Sequence, residues 1–159
     1  MDTDRLIEEI TADPLNRGYS AMDDSALWAS LSTKDRAKLR ILNSRQLLEW
    51  SAENGRYMKL ENAAANVALG DGMRSVVKAA IKLLDRPDTE LDLSVPSHAS
   101  MMGALVLSGV FSSDDQASLE QLATVNISRA EEIGCSDLTQ EMLTYTRKLI
   151  NLPPIEDLL

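Results

Sequence analysis

The spacing of apolar residues along the chain predicts helices almost throughout. Apolar positions recur three and four residues apart, the spacing expected of helices with one buried face. The clearest pattern lies in residues 73–84, whose predicted inner face consists of Val76, Val77, Ala80, Ile81 and Leu84. Over the whole chain the pattern predicts about eight or nine short helices with short links, and it predicts no convincing sheet. We therefore predict an all-α fold, a compact multi-helix bundle with an N-terminal helical arm.

Stop signals divide this helical pattern into three parts. Asp13-Pro14 should end the first helix, because a residue before proline avoids the α-helical region. Asp23 or Asp24 is then a suitable N-cap for a second helix, and Thr33 for a third whose buried side includes Leu42. We predict an arm over residues 1–31, a helical body over residues 32–152 and a tail over residues 153–159.

Residues 44–66 form the best-defined motif of the first half. Two amphipathic helical patterns flank Glu53-Asn54-Gly55, and Asn-Gly suits the left-handed backbone that ends a helix. A helix–turn–helix of this kind invites comparison with DNA-binding motifs, whose second helix carries side chains for base edges. Here the second helix offers two cations, Arg56 and Lys59, together with Glu61 and Asn62. Nucleic-acid binding is therefore kept only as an alternative.

The longest break in the helical pattern is DRPDTELDLSVPSH, residues 85–98. Its LDLSV portion alternates apolar and polar residues as a strand does, but no partner strand is evident, so we predict an ordered extended loop. Its carboxylates lack the ligand spacing of a calcium loop. After it, Ser112 or Ser113 should cap a helix that continues to Thr124, and a short helix in SRAEEIG should end at Gly134.

Composition and charge narrow the classes of function. The 159 residues suit one ordinary domain, and 44% hydrophobic content argues against wholesale disorder. A net charge of −9 repels phosphate backbones unless the cations gather on one face. The densest basic stretch, Lys34–Arg40, is interpreted as a solvated helix face, with a polyanion contact as the alternative. We expect nucleic acid not to be a partner.

Few residues suit catalysis or metal binding. One cysteine, Cys135, cannot form an internal disulfide, and one histidine, His98, provides no Cys/His cluster for zinc. Adjacent carboxylates such as Glu131 and Glu132 point about 100° apart on a helix and would not converge. We therefore expect no enzyme, no cofactor and no metal, with structural roles for His98 and Cys135.

No apolar run approaches the roughly 20 residues that cross a bilayer. The acidic, amphipathic start also lacks the regions of a signal peptide. We expect synthesis in the cytosol and no membrane partner.

Three stretches carry a family resemblance. DPLNRGYSAMDDSALWASLST near the N-terminus, ALVLSGVFSSDDQASLEQLA, and NISRAEEIGCSDLTQEML near the C-terminus resemble small helical proteins encoded by tailed bacteriophages. These relatives have a D-P-x-x-R-G-Y turn near the start and an S-R-A-E-E-x-G helix near the end. Asn16, where small residues are common, and Cys135, where leucine is usual, depart from the pattern.

The resemblance implies a phage-encoded helical protein without a known activity or cofactor. It suggests a minor component of the virion tail or its assembly, made in the host cytoplasm and acting through contacts with other phage structural proteins. Whether it forms a homo-oligomer stays open. The alternative is a phage-encoded regulator that binds a host protein or nucleic acid through residues 44–66.

The candidate partner-binding residues lie near the two ends of the chain. In the first helix and the tail they are apolar, and we expect a small core to leave them partly uncovered. Arg17 and Tyr19 in DPLNRGYS either lock the first helices onto the body or anchor a neighbouring protein. The full set is Leu6, Ile7, Ile10, Arg17, Tyr19, Ile155, Leu158 and Leu159.

Overall fold

The computed structural model describes residues 3–151, which are mostly helical and divide into two compact units. Unit 1 combines the chain up to Ala37 with the chain from Asn126 onward, and unit 2 is the continuous segment Lys38–Val125. Two strands, β1 (Arg36–Leu39) and β4 (Thr124–Ile127), contain the two boundaries and pair with each other. The boundary predicted between arm and body does not coincide with these units, since the first helix belongs to the same unit as the last, and the predicted tail lies outside the described residues.

Unit 1 contains four α-helices in its described residues. They are α1 (Thr3–Ala12), α2 (Asp24–Ser32), α8 (Arg129–Glu132) and α9 (Gln140–Ile150), with a 3₁₀ turn at Tyr19–Ala21. α1 packs against α9, and α2 packs against both α8 and α9. The core they enclose is formed by Leu6, Ile10, Tyr19, Leu27, Leu31, Ala130, Cys135, Leu138 and Leu143.

The predicted N-terminal arm is corrected by this packing. Leu6 is fully buried and Ile10 is 7% exposed, because their face of α1 fills the core of unit 1. The end of the helix and the start of the next agree with the sequence: α1 ends at Ala12, and the Asp23 side chain caps α2 through the Ala26 N–H at 2.7 Å.

Unit 2 contains five α-helices and a two-residue strand pair. The helices are α3 (Ser44–Ala52), α4 (Arg56–Ala65), α5 (Gly70–Leu84), α6 (Pro96–Leu107) and α7 (Ser113–Ala123), with 3₁₀ turns at Glu53–Gly55 and Val67–Leu69. Strand β2 (Leu42–Asn43) pairs antiparallel with β3 (Glu90–Leu91). The apolar core includes Leu47, Trp50, Leu60, Val77, Leu105, Phe111 and Leu119.

Two elements differ from the sequence-based prediction. The helix expected after Thr33 is absent: Arg36–Leu39 is strand β1, since β4 supplies the backbone partners that a helix would have supplied internally. The loop over residues 85–98 includes β3, whose Leu91 lies opposite Leu42. A strand partner so distant in sequence gives no local signal.

Candidate functional site

The DPLNRGYS corner is a turn whose polar groups are satisfied within unit 1. The Asp13 carboxylate accepts backbone N–H groups from Arg17 at 2.8 Å, Gly18 at 2.6 Å and Tyr19 at 3.3 Å. Burial alone would raise the pKa of Asp13, but these three donors and the Arg17 charge lower it below its usual value. Gly18 has φ +77°, a left-handed conformation that glycine adopts without strain.

Arg17 ties the corner to the end of α2. Its guanidinium donates to the Ser30 carbonyl at 2.9 Å and pairs with Asp35 at 2.9 Å. Tyr19 is completely buried, so it cannot serve as an exposed anchor, and the first of the two interpretations, a structural lock, accounts for it. Ile7 and Arg17 are half-buried, while Ile155, Leu158 and Leu159 lie outside the described residues.

A buried carboxylate on α1 is hydrogen-bonded to two other residues of unit 1. Glu9 is 4% exposed and receives two hydrogen bonds from Arg129, at 2.7 Å and 2.5 Å, in a bidentate pair. The Tyr19 hydroxyl also donates to Glu9 at 3.4 Å. Burial, followed by the Glu9 charge, raises the pKa of Tyr19 to about 12. Hydrogen bonding to Glu9 raises the pKa of Arg129 further above its usual value.

The remaining charged residues of the S-R-A-E-E motif also act inside unit 1. Ser128 and Glu131 form a capping box at the start of α8. The Ser128 N–H and then Lys34 lower the pKa of Glu131, and Arg129 lowers that of Glu132. No local signal could have revealed the Arg129–Glu9 pair, because its partners are 120 positions apart.

The helix–turn–helix segment is confirmed, but its cations are directed inward or paired. Arg56, 3% exposed, donates through Nε to Asp115 on α7 at 2.9 Å, and Lys59 reaches the other oxygen of Asp115 at 2.7 Å. Burial alone would raise the pKa of Asp115, but Lys59, the Ser112 N–H and Arg56 hold it far below its usual range. This network fastens α4 to α7 and removes Arg56 from any base-reading role.

Trp50 belongs to the apolar core of unit 2. The Arg56 guanidinium carbon stands 4.7 Å from the centroid of its ring, and Phe111 meets it edge to face at 5.5 Å. Its side chain is 5% exposed, and its indole Nε1–H has no hydrogen-bond partner among the described residues. No local signal in the sequence reveals this unpaired donor.

Two hollows adjoin Trp50. One is a small apolar cavity of about 40 Å³ in the core of unit 2, and its lining includes His98 on α6. The His98 ring nitrogen Nδ1 lies 2.9 Å from the Asp92 carbonyl, where the ring connects the loop to α6. The other hollow is a polar surface cleft of about 410 Å³ between α3 and α7. It is lined by Arg40, Gln46, Glu49, Trp50, Glu53, Ser118, Gln121, Leu122 and Thr124.

Large apolar side chains are exposed on three helices of unit 2. Leu107 at the end of α6 is 91% exposed, Met58 on α4 is 58% exposed and Leu48 on α3 is 55% exposed. Cys135 is a separate case: it lies in unit 1 and is buried as a small core residue. The helical period identified α3 and α4, but it did not reveal that these side chains stay uncovered.

Among residues 3–151, no group of three or more His, Cys, Asp or Glu side chains could hold a metal ion. Nor does any helix in that range combine the length and the hydropathy needed to cross a bilayer. Comparison of the chain with protein-family models, curated proteins and solved structures gives no match. The resemblance to phage proteins therefore stays a prediction.

Proposed function

We propose that this protein is a non-enzymatic structural or assembly protein of a tailed phage, a minor tail-associated virion component that acts through protein–protein contacts. The observation that carries this proposal is the exposure of Leu48, Met58 and Leu107 on three helices of unit 2. Exposed apolar side chains lose contact with water when a partner covers them, which favours association. The partners would be other phage structural proteins, and the protein would be synthesised in the host cytoplasm.

The use of charge supports contact with protein rather than nucleic acid. Most of the net charge of −9 lies in unit 1, so unit 2 is close to neutral and offers no excess of cations to a phosphate backbone. Of the basic stretch, Lys34 pairs with Glu131, Arg36 pairs with Glu132, and Arg40 donates to the Leu122 carbonyl. These pairings favour a structural use of the cations over the polyanion contact.

A regulator that binds a host protein through residues 44–66 is the second candidate. Leu48 and Met58 favour it, since both lie on helices of that segment and are exposed. The nucleic-acid form of this candidate is disfavoured because Asp115 engages both Arg56 and Lys59.

The test is complementation of a phage that lacks the gene. Leu48→Asp and Leu107→Asp place a charge at two of these exposed apolar positions, and Ala79→Asp adds the same charge at another exposed helical position. We expect the two leucine variants to fold normally by circular dichroism but to yield fewer infectious particles than Ala79→Asp. Equal yields from all three variants would contradict a role for these side chains.

A further inference from the structure

Helix α6 has an outer face without charge. Among the α-helices of residues 3–151, it is the one whose sequence, PSHASMMGALVL, contains no Asp, Glu, Lys or Arg. Its inner side packs in the core of unit 2 through Met102 and Leu105, which are 6% and 1% exposed. A helix without a charged side is typically covered all round in a folded protein. The outer face of α6 therefore has the composition of a contact surface.

A stripe of four residues runs along this outer face. Their spacing of four, three and four positions directs them to the same side of the helix, away from Leu105. Leu107, at the end of the helix, is 91% exposed, whereas Ser100 and Gly103 in the middle are small. The stripe therefore protrudes at one end and is low in the middle. It consists of Pro96, Ser100, Gly103 and Leu107.

No contact among the described residues explains Gly103. It lies in the interior of α6, where glycine costs about 1 kcal/mol relative to alanine. A Cβ atom added at Gly103 would meet no described atom within 4 Å, so no neighbouring side chain requires its absence. Its φ also lies outside the left-handed region, unlike that of Gly109. A glycine here does allow a second backbone to come close, which points to an occupant from outside the chain.

The charge and the shape of this face both favour a second copy of the chain as that occupant. Two copies with a net charge of −9 each repel one another, and a contact through α6 adds no charged group to that repulsion. In an antiparallel pair about a two-fold axis, Leu107 of each helix lies beside Pro96 of the other, and Ser100 lies opposite Gly103. The protrusion and the low region beside it then come from the same helix, which is what a two-fold interface requires.

We propose that the outer face of α6 binds the same face of a second copy, with the two helices antiparallel about a two-fold axis. This inference rests on the proposed function and deepens it, because it names the partner that covers Leu107 and leaves Leu48 and Met58 to other phage proteins. The 12 residues of α6 span about 18 Å, so the interface is small. We therefore expect a weak dimer with a dissociation constant on the order of 10 µM.

Sedimentation equilibrium of the full-length protein measures this association. From about 1 µM to about 500 µM, the mass should rise from that of one chain, 17.5 kDa, to twice that value. Added salt should strengthen the dimer, because it screens the repulsion between two acidic chains. A mass of one chain at every concentration, continued growth beyond two chains, or a dimer that salt dissociates would overturn the proposal.

Two glycine variants test whether α6 forms the interface. Gly103→Ala adds a methyl group to the stripe, and Gly72→Ala adds one to α5, where an added Cβ also has open space. Neither change strains the fold, so a weaker dimer reports on the interface rather than on folding. We expect Gly103→Ala to weaken the dimer about tenfold, which corresponds to about 1.4 kcal/mol, and Gly72→Ala to leave it unchanged. Equal dimerisation by the two variants would exclude a close contact at Gly103 and with it the proposal.

Two leucine variants make the same comparison with a charge. Leu107→Asp places a carboxylate on the stripe, and Leu48→Asp places one at an exposed position of α3. We expect Leu107→Asp to stay monomeric across the whole concentration range and Leu48→Asp to dimerise as the wild type does. Circular dichroism at low concentration checks that both variants are folded. A dimer of unchanged strength in Leu107→Asp would contradict the inference.

These outcomes are separate from those of the proposed function. A protein that is found in phage particles but stays monomeric in solution loses only the α6 interface. A protein that dimerises through α6 but is missing from particles keeps the interface and loses the phage role.

Discussion

Replacing Arg56 with methionine should destabilise unit 2 far more than any exposed charge replacement. The Arg56 side chain is 4% exposed and its partner Asp115 is 5% exposed, so the change leaves a buried carboxylate with Lys59 as its remaining cation. Breaking a buried ion pair on one side costs about 3–5 kcal/mol. Methionine keeps much of the aliphatic packing over Trp50, so the loss reports mainly on the charge.

Lys59→Met is the matched control. Lys59 contacts the same carboxylate, but its side chain is 40% exposed, so solvent weakens its share of the interaction and we expect a smaller loss than for Arg56→Met. Stability is measured by chemical denaturation in a Trp28→Phe background, because the remaining tryptophan, Trp50, then reports on unit 2 alone.

The cost of Arg56→Met should also depend on pH. The pKa of Asp115 is lowered in the folded state, so its contribution to stability is complete above its unfolded value of about 3.9 and is lost as the pH falls below it. The difference between wild type and variant should therefore shrink between about pH 4 and pH 2. A cost below about 1 kcal/mol at neutral pH, or one equal to that of Lys59→Met, would refute the reasoning.

Three further predictions concern unit 1 and the glycines. Arg129→Met should destabilise unit 1 by about 3–5 kcal/mol, because it leaves the buried Glu9 carboxylate without its arginine partner. The loss is measured by chemical denaturation followed by Trp28 fluorescence, and a loss as small as that of an exposed pair would contradict this prediction. An ultraviolet titration should show Tyr19 ionising near pH 12. The free energy of unfolding should fall as the pH rises from about 10, where unfolded tyrosine ionises, and Tyr19→Phe should remove that fall. Gly18→Ala should cost about 1–2 kcal/mol because of its φ of +77°, whereas Gly103→Ala inside α6 should be neutral or stabilising by thermal unfolding; equal effects would argue against backbone strain.

Local signals in the sequence predicted the helices well. The amphipathic period of residues 73–84 lies within α5, and of the paired cap candidates Asp23 and Ser112 are the ones that cap their helices. Such features are predictable because the residues that determine them lie within one or two turns of each other.

What the sequence could not supply is the pairing of distant segments. Strand β1 needs β4, and Glu9 needs Arg129, in each case about 90 or more positions away along the chain. The apolar face of α1 could be recognised locally, but whether it packs inward or stays exposed depends on α9. The burial of Trp50 likewise depends on residues of other helices in unit 2 that are distant in sequence.

Quantitative mass spectrometry of purified phage particles tests the central claim most directly. The chain should be present at a fixed copy number relative to the other particle proteins, and it should stay after washing in high salt, because apolar contacts are not screened. Its absence from particles, with the protein found only in the infected host cell, would contradict a virion role and favour the regulator.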